Sequence, residues 1–370
     1  MSVPLLDLRA QHAAIKDDVV RAMMQVVEQQ AFILGEPVER LERAVAELSR
    51  TRFAVGCASG TDALLLALRA LDIHRGDEVI TTPFTFFATA GTIHNVGATP
   101  VFVDIEPATF NISPEAVQKA VTARTKAVVP VDLFGQMAAI ERIAELAPDV
   151  PIIEDAAQSI GARRRIDDKW VMAGEAATIG TFSFFPSKNL GGYGDGGMMV
   201  TQSDALDKRL RQLRTHGGTR TYYHEEVGFN SRLDALQAAV LLAKLPHLAE
   251  WSAKRRENAR YYDAALAGIP QIVTPVVDPS NESIYNQYTV RAERRDELQT
   301  FLKEQGIGNS IYYPLPLHLQ PCFQYLGYKP GSCPESERAA REVISLPIYP
   351  ELTRLQQDEV VGAIKRFYGR

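Results

Sequence analysis

Three short segments carry side chains whose types and spacing suit covalent chemistry on a small anionic molecule. The first is Thr181-Phe-Ser183-Phe-Phe-Pro-Ser-Lys188, which runs directly into the glycine-rich stretch Asn189-Leu-Gly-Gly-Tyr-Gly-Asp-Gly-Gly197. A lysine between an aromatic run and a glycine loop has partly buried neighbours. Desolvation lowers an amine's pKa, which is what an amine nucleophile requires. Glycines there let the backbone approach a ligand closely. Read by itself, the segment also fits a structural loop with an exposed lysine. The second segment is Ile152-Ile-Glu-Asp155-Ala-Ala-Gln158-Ser159. Alternation along a strand sends Glu154 and Asp155 to opposite faces, so only one of them points at a given ligand. A carboxylate so placed holds a heteroaromatic nitrogen protonated, because opposite charges at short range favour both ionised states. A cap on a following helix is the equal alternative. The third is Cys57-Ala-Ser59-Gly60-Thr61-Asp-Ala-Leu64, where a strand turns into a helix whose free N–H groups and dipole attract an anion. A simple N-cap by Ser59 or Thr61 accounts for the same residues.

Hydrophobic periodicity predicts the elements that must position these groups. Apolar runs at 53–57, 78–81, 100–104, 126–131 and 151–155 alternate with helical-period stretches at 61–71, 86–96, 114–121 and 138–146. Such alternation implies parallel strands joined by crossover helices on both faces, with ligands beyond the carboxyl ends of the strands. Two more strands, 177–185 and 197–201, flank the glycine loop, and helices follow at 204–215, 231–244 and 247–266. The last hundred residues read as a strand at 284–290, a helix at 296–305, a proline-punctuated loop at 311–321 and helices at 334–344 and 352–367. The expected division is a large domain over 1–250, with an N-terminal helical segment, and a small domain over 251–370.

A phosphate cradle, an acid at a strand end and a desolvated lysine are together what a pyridoxal phosphate enzyme must supply: an anchor, a partner for the pyridine nitrogen and a Schiff-base amine. The segments Leu34-Gly-Glu-Pro-Val-Glu-Arg-Leu-Glu42, Ala58-Ser-Gly-Thr-Asp-Ala-Leu64, Thr82-Pro-Phe-Thr-Phe-Phe-Ala-Thr89, Glu154-Asp-Ala-Ala-Gln-Ser159, Ser183-Phe-Phe-Pro-Ser-Lys188 and Gly228-Phe-Asn-Ser-Arg-Leu-Asp-Ala-Leu-Gln-Ala-Ala239 extend this. In order and spacing, essentially from end to end, the chain resembles the DegT/DnrJ/EryC1/StrS family of sugar aminotransferases. The resemblance implies an α/β chain of fold type I, aspartate-aminotransferase-like: a three-layer αβα large domain with a mostly parallel sheet, plus a smaller C-terminal α+β domain.

The same resemblance implies roles. Lys188 is the Schiff-base lysine, and Asp155 pairs with the pyridine nitrogen of pyridoxal 5'-phosphate. Phe86 stacks on the ring, although taken alone it also reads as core. Gly60, Thr61 and the Ser183 hydroxyl take the phosphate, and Gln158 lies over the cofactor. Asn230, on a loop contributed by the neighbouring subunit, reaches the other site's phosphate, which implies a homodimer. On residue type alone Asn230 also fits a cap for the helix beginning near Ser231. Tyr313 and His318, in the segment 309–321, are candidates for contacting the sugar nucleotide, with a packed aromatic loop as the alternative. Arg232 and Arg214 are candidates for a diphosphate or a sugar carboxylate. The implied reaction moves an amino group from L-glutamate, through pyridoxamine 5'-phosphate, to C3 of a keto-sugar nucleotide. The acceptor is a UDP-2-acetamido-3-keto-hexuluronate or a dTDP-3-keto-6-deoxyhexose, with C4 amination as the runner-up. Lysine rather than histidine at position 188 separates the chain from the dehydratase branch of the family.

Composition narrows the classes. The 370 residues include 40 Lys plus Arg against 45 Asp plus Glu, a net charge of −5, with 46% hydrophobic and 23% charged residues. This is a globular composition, and its sign argues against charge-driven binding to nucleic acid or membrane. A non-enzymatic regulator, the competing class, lacks a basic stripe or a helix-turn-helix. A lyase acting on an amino acid is a third reading, and Cys57, beside the cofactor segment, reads as a buried small hydrophobe. Cys57, Cys322 and Cys333 are scattered with no CxxC pair, the N-terminus has no apolar signal region, and no histidine has ligand spacing. We expect a cytoplasmic protein with no catalytic metal. The run Arg163-Arg-Arg-Ile-Asp-Asp-Lys169 reads as a solvated hairpin turn.

Overall fold

A computed structural model describes residues 2–369. The apolar runs form one seven-stranded sheet. Its strands are β1 (Phe53–Cys57), β2 (Glu78–Thr81), β3 (Thr99–Phe102), β4 (Thr125–Val129) and β5 (Ile153–Asp155). After a hairpin of β6 (Arg163–Ile166) and β7 (Lys169–Met172) come β8 (Ile179–Ser183) and β9 (Gly197–Thr201). β2 pairs in parallel with β3 and β4, and bridges from Val128 to Ile152 and Val131 to Asp155 carry the sheet on to β5. β8 lies parallel to β5, and β9 runs antiparallel to β8 and β1. The order is therefore β3-β2-β4-β5-β8-β9-β1, with β9 alone reversed. That reversal follows from its short return through the glycine loop, which has no room for a crossover helix.

This topology positions the site. β1, β5 and β8 run the same way, so their carboxyl ends, Cys57, Asp155 and Ser183, meet at one edge of the sheet. The helices before the small lobe are α1 (Leu8–Gln29), α2 (Glu36–Leu48), α3 (Gly60–Ala70), α4 (Phe87–Asn95), α5 (Pro114–Ala120), α6 (Ile140–Leu146), α7 (Asp204–Leu213), α8 (Ala235–Lys244) and α9 (Leu248–Leu266). Strand alternation divides the core into two layers. Met198, Val200 and Phe182 pack with Val38, Leu41 and Val45 of α2 and Ala238 and Leu241 of α8 on one face. Met199, Val55 and Ile179 pack with Leu64 and Leu66 of α3 and Leu210 and Leu213 of α7 on the other.

A second core gathers around an antiparallel sheet of Ile272–Val273, Tyr288–Ala292 and Val343–Leu346, with α10 (Arg295–Glu304) and α12 (Arg354–Phe367), while Ala339 and Ala340 of α11 (Pro334–Glu342) pack with Phe84, Phe110 and Phe134. Helix α9 spans both bodies: Leu248 packs in the first core, Tyr262 and Leu266 in the second. Val3 also belongs to the second core, held by its N–H to Gly306 O at 3.0 Å.

Four expectations are corrected. The helix expected over 334–344 stops at Glu342, because β-branched Val343 and Ile344 pair with Arg291 and Val290. The strand expected over 284–290 begins at Tyr288. The helix expected from 231 begins at Ala235 with Asp234 before it, so Asn230 caps nothing. Finally, 163–169 is a hairpin, but Arg164 is buried in it, bonded to Glu141 at 2.7 Å and 3.3 Å from Asp278.

Candidate active site

Lys188 follows β8 on a turn closed by its N–H to Phe185 O (2.8 Å), and the chain on either side is tied down. Phe184 N–H bonds Gly196 O and Gly192 N–H bonds Phe184 O, both at 2.8 Å. The adjacent Asn189 is buried, donating to Ile284 O at 3.1 Å and accepting from Asn286 at 2.6 Å. Burial lowers the Lys188 amine to a pKa of about 8, with the Asp155 charge opposing that fall. Asp155 is the mirror case. Burial pushes its carboxyl up, while the Thr89 hydroxyl (2.8 Å), the Ala157 N–H (3.3 Å) and the Lys188 charge hold it down. A turn rather than a helix follows Asp155, so the capping alternative falls.

The start of α3 sits directly against the end of β8. A Cβ on Gly60 would lie 2.6 Å from the Ser183 Cβ, closer than packed atoms come, so only glycine allows the contact. Ser59 caps the helix by accepting from Asp62 N–H at 3.1 Å. The Gly60 and Thr61 amides have no partner among the described residues and share this corner with the Ser183 hydroxyl. Phe86, at the start of α4, is 60% exposed and is not core.

Gln158 is buried, accepting from Phe134 N–H at 2.6 Å and donating to Tyr313 Oη at 3.3 Å. Tyr313 thereby packs beside Gln158 and Asp155. Its hydroxyl is pushed up by burial and then by the Asp155 charge. Arg232 is partly buried, and its Nε has no partner among the described residues. Asn230 is exposed and bridged to Thr215, and among the described residues none of its bonds reaches Lys188 of its own chain.

Two candidates are corrected. His318 has a fully buried side chain bonded to Glu337 at 3.1 Å and stands edge-on to Tyr328, so a sugar nucleotide has no access to it. Arg214 is equally structural: it bonds Glu42 at 2.5 Å and Gly56 O at 2.8 Å, locking α7 to α2 and β1. Thr89 was not a sequence candidate, and its spacing four residues after Thr85 was the one available signal. The two hydroxyls bond at 3.0 Å, which aims Thr89 at Asp155.

Sheet topology and a desolvated lysine within reach of a buried carboxylate's charge together fit a class, the aspartate-aminotransferase-like enzymes that use pyridoxal phosphate. Within it, the chain belongs to the DegT/DnrJ/EryC1/StrS aminotransferase family, whose sequence profile matches residues 13–365. It is 51% identical over 372 residues to a Geobacillus stearothermophilus protein named pleiotropic regulatory protein, covering 100% of this chain and 99% of that one. It is 43% identical over 367 residues to UDP-N-acetyl-3-dehydro-α-D-glucosamine 3-aminotransferase of Acidithiobacillus ferrooxidans, covering 99% and 98%. The crystal structure of DesV from S. venezuelae in complex with a ketimine intermediate superposes with a TM-score of 0.96 at 42% identity, covering 100% and 99%.

Proposed function

We propose that this aminotransferase moves an amino group from L-glutamate to C3 of a keto-sugar carried on a nucleoside diphosphate. Its cofactor is pyridoxal 5'-phosphate, with pyridoxamine 5'-phosphate as the carrier form, and it works in the cytoplasm as a homodimer with shared sites. The observation that carries the reading is the Lys188 and Asp155 pair, two desolvated groups whose charges bear on one another at the carboxyl edge of the sheet. The corner at Gly60 fits the cofactor's phosphate, since free amides, a helix start and the Ser183 hydroxyl meet where any Cβ on Gly60 would intrude. The exposed Phe86 ring offers a stacking face.

When bound, the cofactor supplies an electron sink and an amino-group carrier. Gly60, Thr61 and Ser183 hold its phosphate. Asp155 would keep the pyridine nitrogen protonated, and the Thr89 hydroxyl favours the ionised form of Asp155. With its amine lowered to a pKa of about 8, Lys188 would take the proton from the donor's α-carbon as a general base and deliver it, as an acid, to the cofactor carbon that bears the amino nitrogen. Gln158 and Tyr313, bonded to each other, form a wall beside Asp155. Arg232, only partly buried, remains our candidate for meeting a diphosphate. Exposed Asn230 serves the neighbouring copy's phosphate, and exposed apolar residues, Phe32, Ile33 and Val227 among them, fit a covered face between copies.

The 3-aminotransferase name of a relative covered over 98% of its length supports C3 and a UDP-linked acceptor. The regulatory name of the 51% identical relative does not supply a second reading, because a net charge of −5 and a desolvated lysine facing a carboxylate suit an enzyme rather than a DNA-binding surface. The test offers pyridoxamine-loaded protein a panel of 3-keto and 4-keto sugars on UDP and dTDP. We expect a 3-keto sugar to restore the absorbance of lysine-bound cofactor. Restoration by 4-keto sugars alone, or by none, refutes the proposal.

A further inference from the structure

Behind the site, on the face of β5 opposite Asp155, two acids are buried against each other. Asp132 follows β4 and Glu154 lies in β5, and both are fully buried. Their other contacts are all donors to carboxylate oxygens. Asp132 Oδ1 accepts from Ala138 N–H at 2.8 Å, Asp132 Oδ2 accepts from the Ser159 hydroxyl at 2.7 Å, and Glu154 Oε2 accepts from Gly174 N–H at 2.8 Å. Glu154 Oε1 is buried and takes no bond from any other group among the described residues. The charge of Asp155, another anion, bears on both. Two buried carboxylates side by side, with the Asp155 charge bearing on both and no cation bonded to either among the described residues, cannot both be ionised.

We infer that Asp132 and Glu154 share one proton, and that this carboxyl–carboxyl bond is a positioning device for the residues facing the cofactor. The shared proton satisfies Glu154 Oε1 and fastens the 130–138 turn to β5. Both catalytic neighbours hang on that turn. Asp132 N–H bonds Asp155 O at 3.0 Å, Asp155 N–H bonds Pro130 O at 2.9 Å, and Phe134 N–H holds Gln158 Oε1 at 2.6 Å. Burial raises both carboxyls, as proton sharing requires. The positioning half of the inference rests on the cofactor reading above; the proton-sharing half does not.

The sign of the pH dependence follows. The folded chain keeps a proton that the unfolded carboxyls release near pH 4, so this contribution to stability is complete below that pH and is lost as pH rises toward the pair's raised value. One proton changes the folding equilibrium constant by up to about tenfold per pH unit in that window. In Glu154→Gln the amide donates to the Asp132 carboxylate and no shared proton is needed. Stability of the full-length chain without cofactor, measured by urea unfolding from pH 5 upward, should fall more steeply in wild type than in E154Q. Equal slopes overturn the shared proton whatever the enzyme's reaction. For positioning, cofactor titration of folded Asp132→Ala should show at least about tenfold weaker binding. It should also show a shifted pH for the absorbance change of the bound cofactor, with Asp132→Asn restoring both. Wild-type binding by folded D132A overturns the positioning role, and so does D132N binding about tenfold or more weaker than wild type, the decisive variant should D132A not fold.

Discussion

The bond from the Thr89 hydroxyl to Asp155 Oδ2, 2.8 Å long between two buried residues, gives a sharp prediction. Thr89→Val keeps the shape and removes the donor. A hydrogen bond to an ionised group contributes about 1.5–3 kcal/mol, and only the Ala157 N–H at 3.3 Å and the Lys188 charge remain to favour the carboxylate. The Asp155 carboxyl, already raised by burial, then rises further. Since the carboxylate holds the pyridine nitrogen protonated, kcat/KM with glutamate should fall by about 10- to 100-fold. The two consequences have opposite pH slopes. The activity deficit should be largest on the acid side, where wild type is ionised and the variant is not, and shrink as pH rises. The stability deficit should be small in acid, where both carboxyls are protonated, and grow with pH as the variant's carboxylate is left short of a donor. Steady-state kinetics and urea unfolding across pH measure both, and Thr89→Ser should recover most of the loss. Wild-type kinetics in T89V, or a deficit that is the same at every pH and unrelieved in T89S, would refute the reasoning.

Gly60→Ala forces a Cβ against Ser183 and should cost about 1–3 kcal/mol, read as a lower unfolding temperature and weaker cofactor binding; binding as tight as wild type would remove the α3 corner from the site. His318→Ala should lower stability by about 1–3 kcal/mol by stripping Glu337 of a buried partner, with KM for the sugar nucleotide unchanged; the reverse pattern would return His318 to the substrate. Glu42→Ala leaves Arg214 buried without its carboxylate and should cost about 3–5 kcal/mol in urea unfolding, whereas a small loss would show that Gly56 O alone suffices. Asn230→Ala and Lys188→Ala chains, each inactive, should regain about a quarter of wild-type turnover when co-refolded in equal amounts, because half the dimers then hold one intact shared site. No recovery would place Asn230 in its own chain's site or in none.

The sheet was legible because its strands are short apolar runs bounded by polar and glycine residues. The strand bounds at 53–57, 78–81 and 197–201 agree with the structure to the residue. Where tertiary pairing decides, the sequence misled. Val343 and Ile344 continue the helical period of α11, but their branched side chains are taken up by the sheet beside Val290 and Arg291. Arg164 looked solvated because its partners, Glu141 and Asp278, lie 23 residues before and 114 after it. Of the site, Lys188, Asp155 and the Gly60 corner announce themselves through local context. His318 misled in a proline-rich aromatic loop whose burial no spacing reveals. Thr89, and the Asp132 and Glu154 pair, depend on contacts 66 and 22 residues apart, and the spacing of Thr89 from Thr85 is the one local mark among them.

The most direct measurement follows isotopically labelled nitrogen from L-glutamate through a single turnover of the purified enzyme with a UDP-linked 3-keto sugar. We expect the label to leave glutamate as one equivalent per active site before any sugar is added, and then to appear in the sugar's new amine at C3, with no transfer in Lys188→Ala. Label that stays in glutamate, reaches free ammonia instead of the sugar, or transfers equally well in K188A would contradict the assignment.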